Sequence, residues 1–324
     1  MKAAILNKAG ELPQHGDMAA PQPKNDGEVV IRVKAASIKN LDRMIAKGSH
    51  YHSHAEFPTT VGVDGVGILA DGTRVYTGGI TGMIAEQAVV HANRCIPLPD
   101  HVDDVTAAAL PNPGLSAWFS LDYRAALKPG ETVLIMGATG VTGKMAIQLA
   151  RYLGAGCIIA AGRNPEIMAT LKDLGADILI DLRQGDEAFK EQLRAINKQH
   201  PVDIVIDYLW GRPAEMVLEV LTGHDLNAEP HKTRFVQVGE MAGSTINLKA
   251  GTLRSSAIEL YGIGGGSVPK EVMQKVPGET LPLLFRLVAE GKLRIETNAV
   301  PLADVANAWA NGDKDGKRNV VVIS

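Results

Sequence analysis

The hydrophobic pattern of the chain changes character near residue 120. Before that point, short runs typical of β-strands, at residues 29–33 and 85–90, lie between turn residues. Two further runs, at residues 65–69 and 74–76, flank the pair Asp71 and Gly72. Apolar runs on both sides of an Asp-Gly pair predict a β-hairpin. Short strands, frequent turns and little helix together predict a compact β domain in this part of the chain.

From about residue 131, apolar strands alternate with amphipathic helices. Residues 132–136 (TVLIM) form a continuous apolar run, which is typical of a parallel strand buried on both faces. The helix after it carries apolar residues at the spacing of a single helix face, namely Ala146, Leu149, Ala150 and Leu153. More strands are predicted at residues 157–161, 178–180, 202–206, 235–238 and 259–263. This alternation predicts a doubly wound parallel sheet.

Helix boundaries can be assigned from single residues. Gly154 and Gly175 suit the ends of two helices, because glycine readily adopts the left-handed conformation found there. Asn164 suits an N-cap, and Pro165 suits the first turn of the helix that follows.

The chain ends in the apolar run 319–323 (NVVVI). A terminal run this apolar must pair with another strand, and we expect its partner to lie in the first domain. A chain of 324 residues agrees with two domains, at about 150 residues per domain.

Composition narrows the class of protein. Hydrophobic residues make up 45% and charged residues 21%, as in ordinary soluble globular proteins, and the net charge of −3 gives no basic excess for nucleic acid. Cys95 and Cys157 are too few for a disulfide framework or a structural zinc site. The first residues show no signal-peptide pattern, and no apolar run reaches the length of about 18 residues needed to span a bilayer. We expect a cytoplasmic protein with no nucleic-acid or membrane partner.

Residues 137–143 (GATGVTG) join the first apolar strand of the second domain to its helix. Glycines at this spacing allow a tight turn and a close approach of the backbone to a diphosphate, which the helix N-terminus then attracts. The position between strand and helix supports a dinucleotide site, although an unliganded glycine-rich turn is the alternative. The predicted cofactor residues of the turn are Ala138, Thr139, Gly140, Val141 and Gly143.

The end of the next strand indicates which dinucleotide binds. NAD sites usually have an acidic residue there, about 20 residues after the glycines, to bind the ribose 2′-hydroxyl. This strand ends instead with Gly162, Arg163 and Asn164. Arg163 is positioned to bind a 2′-phosphate through charge-assisted hydrogen bonds, which predicts NADPH, although a solvated surface arginine is the alternative.

The chain resembles the medium-chain dehydrogenase/reductases over essentially its whole length. The resemblance rests on the order and spacing of residues 28–33 (EVVIRV), 85–90 (AEQAVV), 96–100 (IPLPD), 127–135 (LKPGETVLI), 137–143 and 316–321 (GKRNVV). It implies an α/β protein with two domains and an active site in the cleft between them. Residues 1–118 and 290–324 would form a GroES-like β domain, and residues 119–289 a Rossmann domain with a doubly wound parallel sheet.

Within that family the chain resembles the zinc-free branch. Zinc members carry a ligating cysteine after an early strand and a Gly-His-Glu before the next strand. Here residues 36–42 (ASIKNLD) hold no cysteine, and Val63 stands where the histidine would lie. Because a catalytic zinc needs about three protein ligands, we expect no metal site.

The resemblance to the zinc-free branch, which includes quinone oxidoreductase, zeta-crystallin and enone reductases, implies further site residues. Those implied to contact the cofactor are Asn112, Ser116, Val238, Gly262, Ile263 and Asn319. Tyr51 is implied to lie near the nicotinamide, where it would orient the substrate carbonyl or relay a proton, although its unperturbed pKa of about 10 makes it a poor base. A tyrosine at the rim with no catalytic role is the alternative. Lys39 aligns with a polar position near the substrate and is the second catalytic candidate.

These features predict an NADPH-dependent oxidoreductase that transfers hydride to a quinone or an α,β-unsaturated carbonyl. An alcohol dehydrogenase-type carbonyl reductase and a non-catalytic NADPH-binding sensor are the alternatives. The last predicted strand, residues 259–263, would be an exposed sheet edge, which invites pairing with another chain. We therefore expect a homodimer.

Overall fold

The computed structural model describes residues 1–49, 53–222 and 229–323. The chain divides into two units, Met1–Asn112 with Gln274–Ser324, and Pro113–Met273. The division lies at 112/113 and 273/274, where the sequence places it at 118/119 and 289/290. Helix Leu281–Ala289 belongs to the first unit, where the ring of Phe285 packs edge-on against Tyr76 at 6.0 Å. The boundaries inferred from the sequence stay a prediction.

The first unit is built mainly from antiparallel strands. In chain order these are β1 (Lys2–Leu6), β2 (Gln14–Asp17), β3 (Glu28–Ser37), β4 (Thr59–Thr60), β5 (Asp64–Ile68), β6 (Arg74–Gly78), β7 (Gln87–His91) and β8 (Ile96–Pro97). The long strand β3 pairs with both β5 and β7 and shifts register between Val33 and Ala35. β5 and β6 pair from Asp64 opposite Gly78 to Ile68 opposite Arg74, which confirms the predicted hairpin.

The second unit holds a parallel sheet. Its strands are β9 (Thr132–Met136), β10 (Cys157–Gly162), β11 (Ile178–Asp181), β12 (Ile204–Asp207), β13 (Lys232–Gln237) and β14 (Ala257–Gly262). Their spatial order is β11-β10-β9-β12-β13-β14. The chain runs outward from β9 to β11 and then returns to β12 on the other side of β9, so the topological switch point lies between β9 and β12. The predicted doubly wound sheet is confirmed.

Helices connect these strands. The helices up to the end of the second unit are α1 (Asn40–Lys47), α2 (Asp104–Ala109), α3 (Pro111–Trp118), α4 (Val141–Tyr152), α5 (Pro165–Thr170), α6 (Asp186–Gln199), α7 (Gly211–Leu221), α8 (Ala250–Arg254) and α9 (Lys270–Met273). The predicted cap of α5 is confirmed, because the side chain of Asn164 accepts hydrogen bonds from the backbone at the start of that helix. None of the helices in the described ranges combines the length and the apolar character needed to cross a bilayer.

The last part of the chain completes the first unit. It contains α10 (Leu281–Ala289), β15 (Thr297–Pro301), α11 (Val305–Asn311) and β16 (Arg318–Val322). β16 pairs antiparallel with β3, with Val320 opposite Ser37, so the apolar C-terminal strand joins the first unit as predicted. Trp309 of α11 packs into the same apolar core as Ile31 and Val33 of β3.

Candidate functional site

The glycine turn, residues 137–143, packs tightly between β9 and α4. Gly137 has a φ of +84°, which favours glycine. A Cβ atom at Gly143 would lie 2.4 Å from the carbonyl oxygen of Gly137, so only glycine lets the helix approach the turn this closely. Both glycines are therefore required by the backbone of the turn.

The N-terminus of α4 faces the turn without a capping side chain. Gly140 is the N-cap residue and offers no side-chain hydrogen bond. The first N–H groups of a helix have no intrahelical partner, and they carry a partial positive charge. Val141 and Gly143 thus present backbone donors that suit a diphosphate. The N–H of Ala138 differs, because it donates to Ala161 at 2.9 Å within the sheet.

Arg163 lies directly after β10, next to the turn. Its side chain is exposed, and within the described ranges the guanidinium has no hydrogen bond or ion pair. It lines an open pocket of about 430 Å³ with Asn164, Pro165 and Glu166. Gly162 supports this arrangement, because a Cβ atom there would lie 2.4 Å from the Cγ2 atom of Thr139 in the turn.

Asn164 has a structural task as well as its place in the pocket. Its Oδ1 accepts hydrogen bonds from the backbone of Glu166 at 3.1 Å and of Ile167 at 3.3 Å. This oxygen is therefore committed to the cap of α5, and only the amide nitrogen is left for a ligand.

The other predicted cofactor residues of the sheet lie at strand ends on the same edge. Val238 follows β13, and its N–H donates to the carbonyl of Asp207 at 2.8 Å. Gly262 ends β14 and is exposed, whereas Ile263 is buried and donates to Gln237 at 3.0 Å. The structure brings these residues to the carboxyl edge of the sheet, where such folds bind ligands.

Asp207, which ends β12, and the loop after it at residues 208–210 were not named as site residues from the sequence. Asp207 is buried, and its carboxylate accepts hydrogen bonds from the backbone of Leu209 at 2.9 Å and of Trp210 at 3.2 Å. Burial raises the pKa of Asp207 to about 6, although these backbone donors oppose the shift. The available signal was a carboxylate ending an otherwise apolar strand.

In the first unit, Lys39 lies in a buried cluster of charges. Its ammonium is 3.2 Å from Asp42 and 3.2 Å from Asp64, and it donates to the carbonyl of Ser37 at 3.1 Å. The side chains of Lys39 and Asp42 are 1% and 0% exposed, whereas that of Asp64 is 14% exposed. Burial lowers the pKa of Lys39, but the two carboxylates more than offset this and raise the pKa overall.

Tyr76 extends this cluster. Tyr76 is buried near Asp64, and burial together with the charge of Asp64 raises the pKa of the phenol well above its ordinary value. Tyr76 is therefore a neutral hydrogen-bond donor at physiological pH. The chain of contacts runs from Lys39 through Asp64 to Tyr76.

The remaining predicted site residues are placed as follows. Asn112 and Ser116 lie four residues apart in α3. Asn319 is buried in β16, where its amide donates to Gly312 at 2.6 Å and accepts from Asn298 at 2.8 Å. Its amide is thus already hydrogen-bonded within its own unit, and its contact with a cofactor stays a prediction. Tyr51 lies outside the described residues.

The described residues do not suit a zinc ion. They contain no group of three or more His, Cys, Asp or Glu side chains arranged to hold a metal. In the segment where zinc members carry their cysteine, the ammonium of Lys39 already balances the carboxylates of Asp42 and Asp64. The ammonium of Lys39 would repel a second cation bound to the same carboxylates, because the two positive charges would lie close together.

Comparisons with known proteins agree with this arrangement. The family model of the alcohol dehydrogenase GroES-like domain matches residues 25–100, and that of the zinc-binding dehydrogenase matches residues 141–277. The probable NADPH-dependent quinone reductase tdiC of Emericella nidulans is 27% identical, over 99% of this chain and 100% of its own. The quinone oxidoreductase of Sus scrofa is 29% identical, over 80% of this chain and 78% of its own.

Solved structures and larger proteins extend the comparison. The quinone oxidoreductase of Thermus thermophilus, solved alone and with NADPH, is 25% identical over 100% of both chains, with a TM-score of 0.78. This chain also matches a mycocerosic acid synthase-like polyketide synthase of Mycobacterium tuberculosis at 30% identity, but spans only 14% of its length. With a domain model matching in each unit and relatives aligned along the whole chain, the protein belongs to the medium-chain dehydrogenase/reductase family, in its quinone reductase branch.

Proposed function

We propose that this protein is an NADPH-dependent oxidoreductase that transfers hydride to a quinone or an α,β-unsaturated carbonyl without a metal ion. The observation that carries the proposal is the exposed guanidinium of Arg163 beside the glycine turn, which has no partner within the described ranges. A cationic group at this strand end, with no carboxylate among Gly162, Arg163 and Asn164, favours a 2′-phosphorylated dinucleotide over NADH.

The described residues fit NADPH. The N–H groups at the start of α4 would bind the diphosphate, and Arg163 would bind the 2′-phosphate. Thr139, Val238 and Gly262 lie in the turn and at strand ends, where they would line the rest of the cofactor. NADPH, when bound, supplies the hydride, and the protein supplies position and electrostatics.

The names of two relatives support the substrate class. Those from Emericella nidulans and Sus scrofa are named as quinone reductases. A quinone and an enone share the chemistry that matters here, because hydride addition places negative charge on a carbonyl oxygen. Neutral hydrogen-bond donors would stabilise that charge.

The buried cluster in the first unit suits a supporting role in this reaction. Lys39 is nearly fully buried, and two carboxylates balance its charge. Its ammonium group therefore stabilises these carboxylates rather than a substrate. We assign Lys39 the role of a positioning residue that fixes Asp64 and, through it, the hydroxyl of Tyr76. The proton for the product then comes from solvent or from a tyrosine, and Tyr51 stays a candidate.

Arg163→Glu tests which nucleotide the site prefers. We expect the dissociation constant for NADPH to rise about 10- to 100-fold, since charge-assisted hydrogen bonds are lost and a like charge replaces them. The constant for NADH should change less than about 3-fold, because NADH carries no 2′-phosphate. Titration by fluorescence quenching measures both values.

Arg194→Glu makes the same charge change on an exposed part of α6 and serves as the control. Equal weakening of both nucleotides by Arg163→Glu would show that Arg163 does not read the 2′-phosphate.

Turnover tests the chemistry. The oxidation of NADPH is followed at saturating 1,4-benzoquinone and with a simple enone, before and after treatment with a strong chelator. We expect turnover that the chelator does not change. Binding of NADPH without turnover on either substrate would instead favour a non-catalytic NADPH-binding protein, and loss of turnover in chelator would contradict metal-free chemistry.

A further inference from the structure

The hydroxyl of Tyr208 is buried without a hydrogen-bond partner. Tyr208 is 9% exposed, and its oxygen contacts no donor or acceptor among the described residues. Buried tyrosine hydroxyls usually find a partner, because an unpaired buried polar group is unfavourable. When such a hydroxyl lies beside a ligand site, its missing hydrogen bond indicates that it bonds to the ligand.

Tyr208 lies directly beside the glycine turn. β12 and β9 are parallel neighbours, with Asp207 opposite Met136, so the next residues in register are Tyr208 and Gly137. A Cβ atom at Gly137 would lie 3.3 Å from the Cβ atom of Tyr208. The tyrosine therefore stands at the switch point of the sheet, next to the first glycine of the turn.

The backbone of Tyr208 is held in place without any help from the hydroxyl. Its N–H donates to Met136 at 3.2 Å, and the carboxylate of Asp207 fixes the two residues that follow. A Cβ atom at Gly239 would lie 2.6 Å from the carbonyl oxygen of Tyr208, so the segment that follows β13 packs closely on this loop. The loop is thus built to hold the ring at this place, and the hydroxyl has no structural task there.

The position of Arg163 gives the direction of the dinucleotide. Arg163 follows β10, on one side of β9, whereas Tyr208 follows β12, on the other side. If Arg163 binds the 2′-phosphate of the adenosine half, the diphosphate lies at the glycine turn and the nicotinamide half continues across β12. This places Tyr208 alongside the nicotinamide half.

We propose that the hydroxyl of Tyr208 donates a hydrogen bond to an oxygen in the nicotinamide half of NADPH, on its ribose or the adjoining phosphate. The assignment rests on the proposed function, because it assumes that NADPH is the cofactor. A neutral phenol is a good donor to such oxygens, and it would be satisfied only when the cofactor is bound. Tyr208 would then contribute affinity for the nicotinamide half alone.

Tyr208→Phe removes only the hydroxyl and keeps the ring. We expect the dissociation constant for NADPH to rise about 3- to 10-fold, the range of one neutral hydrogen bond. The constant for adenosine 2′,5′-bisphosphate should be unchanged, because that probe has the adenosine half and its 2′-phosphate but no nicotinamide. Calorimetry measures both. Tyr152→Phe, which removes an exposed hydroxyl at the opposite end of α4, should change neither value.

Thermal unfolding separates this role from a structural one. Without nucleotide, Tyr208→Phe should unfold at the same temperature as the wild-type protein or higher, since no protein hydrogen bond is lost. With NADPH, its stabilisation by the ligand should be smaller than that of the wild-type protein.

Three results would overturn the assignment. They are unchanged NADPH affinity in Tyr208→Phe, equal weakening of the adenosine bisphosphate, and a lower unfolding temperature without nucleotide. If the wild-type protein binds neither probe, the proposed cofactor itself is wrong and the assignment falls with it. If the wild-type protein binds both and Tyr208→Phe binds as tightly, only the assignment of Tyr208 is wrong.

Discussion

At the scale of single residues, Trp210 holds an unusual backbone conformation. Its φ is 56° and its ψ is −158°, a region that residues other than glycine rarely adopt. Strain of this kind costs about 1–3 kcal/mol. The indole ring offsets part of it by packing edge-on against Phe235 at 6.3 Å. The strained residue lies in the short loop that follows Asp207 and contains Tyr208, which links the strain to the proposed cofactor site.

Substitution of Trp210 separates the strain from the packing. Both Trp210→Ala and Trp210→Gly lose the ring, but only glycine relieves the backbone. We expect Trp210→Gly to be more stable than Trp210→Ala by about 1 kcal/mol, the reverse of the usual order of these two residues. Denaturant unfolding measures the difference. An alanine variant as stable as the glycine variant, or more so, would show that the backbone of residue 210 carries no strain.

The residues that sequence could predict are those whose role depends on position along the chain. Arg163 was named as a cofactor residue because it directly follows an apolar strand at a known distance from the glycine turn, and that role stays a prediction. The contact between Lys39 and Asp64 was not predicted, because it depends on two strands pairing across 25 residues of chain. The unpaired state of the Tyr208 hydroxyl was not predictable either, since the absence of a partner is a property of the folded core.

At the scale of elements, prediction was most accurate where burial is uniform. The strand at residues 132–136 was predicted with the bounds it has, because every one of its residues is buried. β13 was predicted to begin at Phe235 but begins at Lys232. Polar residues extend it, since Thr233 donates to the carbonyl of Val202 at 2.7 Å and Arg234 pairs with Glu131 at 2.5 Å. Hydrophobicity alone does not identify strand residues whose polar side chains have hydrogen-bond or ion-pair partners in the folded protein.

The charge cluster of Lys39 joins several elements of the first unit. Lys39 lies between β3 and α1, Asp42 lies in α1, and Asp64 begins β5. The carboxylate of Asp42 also accepts hydrogen bonds from the backbone of Val63 at 2.8 Å and of Lys39 at 2.7 Å. The cluster therefore stabilises the packing of a helix against two strands.

Lys39→Met tests how far the packing of α1 against β3 and β5 depends on the ammonium of Lys39. The substitution keeps the length of the side chain but leaves the buried carboxylate of Asp42 and the partly buried carboxylate of Asp64 without their cation. We expect the free energy of unfolding at pH 7.5 to fall by about 3–5 kcal/mol, as when one partner of a buried ion pair is removed. Chemical denaturation measures it. Lys190→Met serves as the control, because Lys190 also contacts two carboxylates, but those of Glu187 and Glu219 reach solvent. A loss no larger in Lys39→Met than in the control would mean that the buried pairing does not stabilise the unit.

At the scale of the whole molecule, the change of pattern near residue 120 predicted two kinds of structure. An antiparallel unit and a parallel sheet each have their own hydrophobic period, so the two classes of strand were separable from sequence. The return of the chain to the first unit was predicted from the apolar run at residues 319–323 and is confirmed by the pairing of β16 with β3. The exact point of return, which the sequence places at residue 290, stays a prediction, because the apolar face of α10 does not show from sequence which unit it packs against.

The predicted homodimer depends on the edge of the parallel sheet. β14 is the last strand in the order of that sheet, and Leu260 in it is 36% exposed. Because Ile263 donates its N–H to β13, and because the direction of N–H groups alternates along a strand, the N–H of Leu260 points to the open edge. Among the described residues this N–H has no backbone partner, so it can bond a second chain without disturbing β13.

We expect the wild-type protein to have the mass of a dimer in size-exclusion chromatography with light scattering. Leu260→Pro should shift it toward the monomer, since proline removes this N–H and leaves the bonds to β13 intact. Leu260→Ala, which keeps the N–H, should weaken the dimer less, and far-ultraviolet circular dichroism checks that both variants keep the sheet. A monomeric wild-type protein would contradict the dimer, whereas a dimer that tolerates Leu260→Pro would place its interface somewhere other than β14.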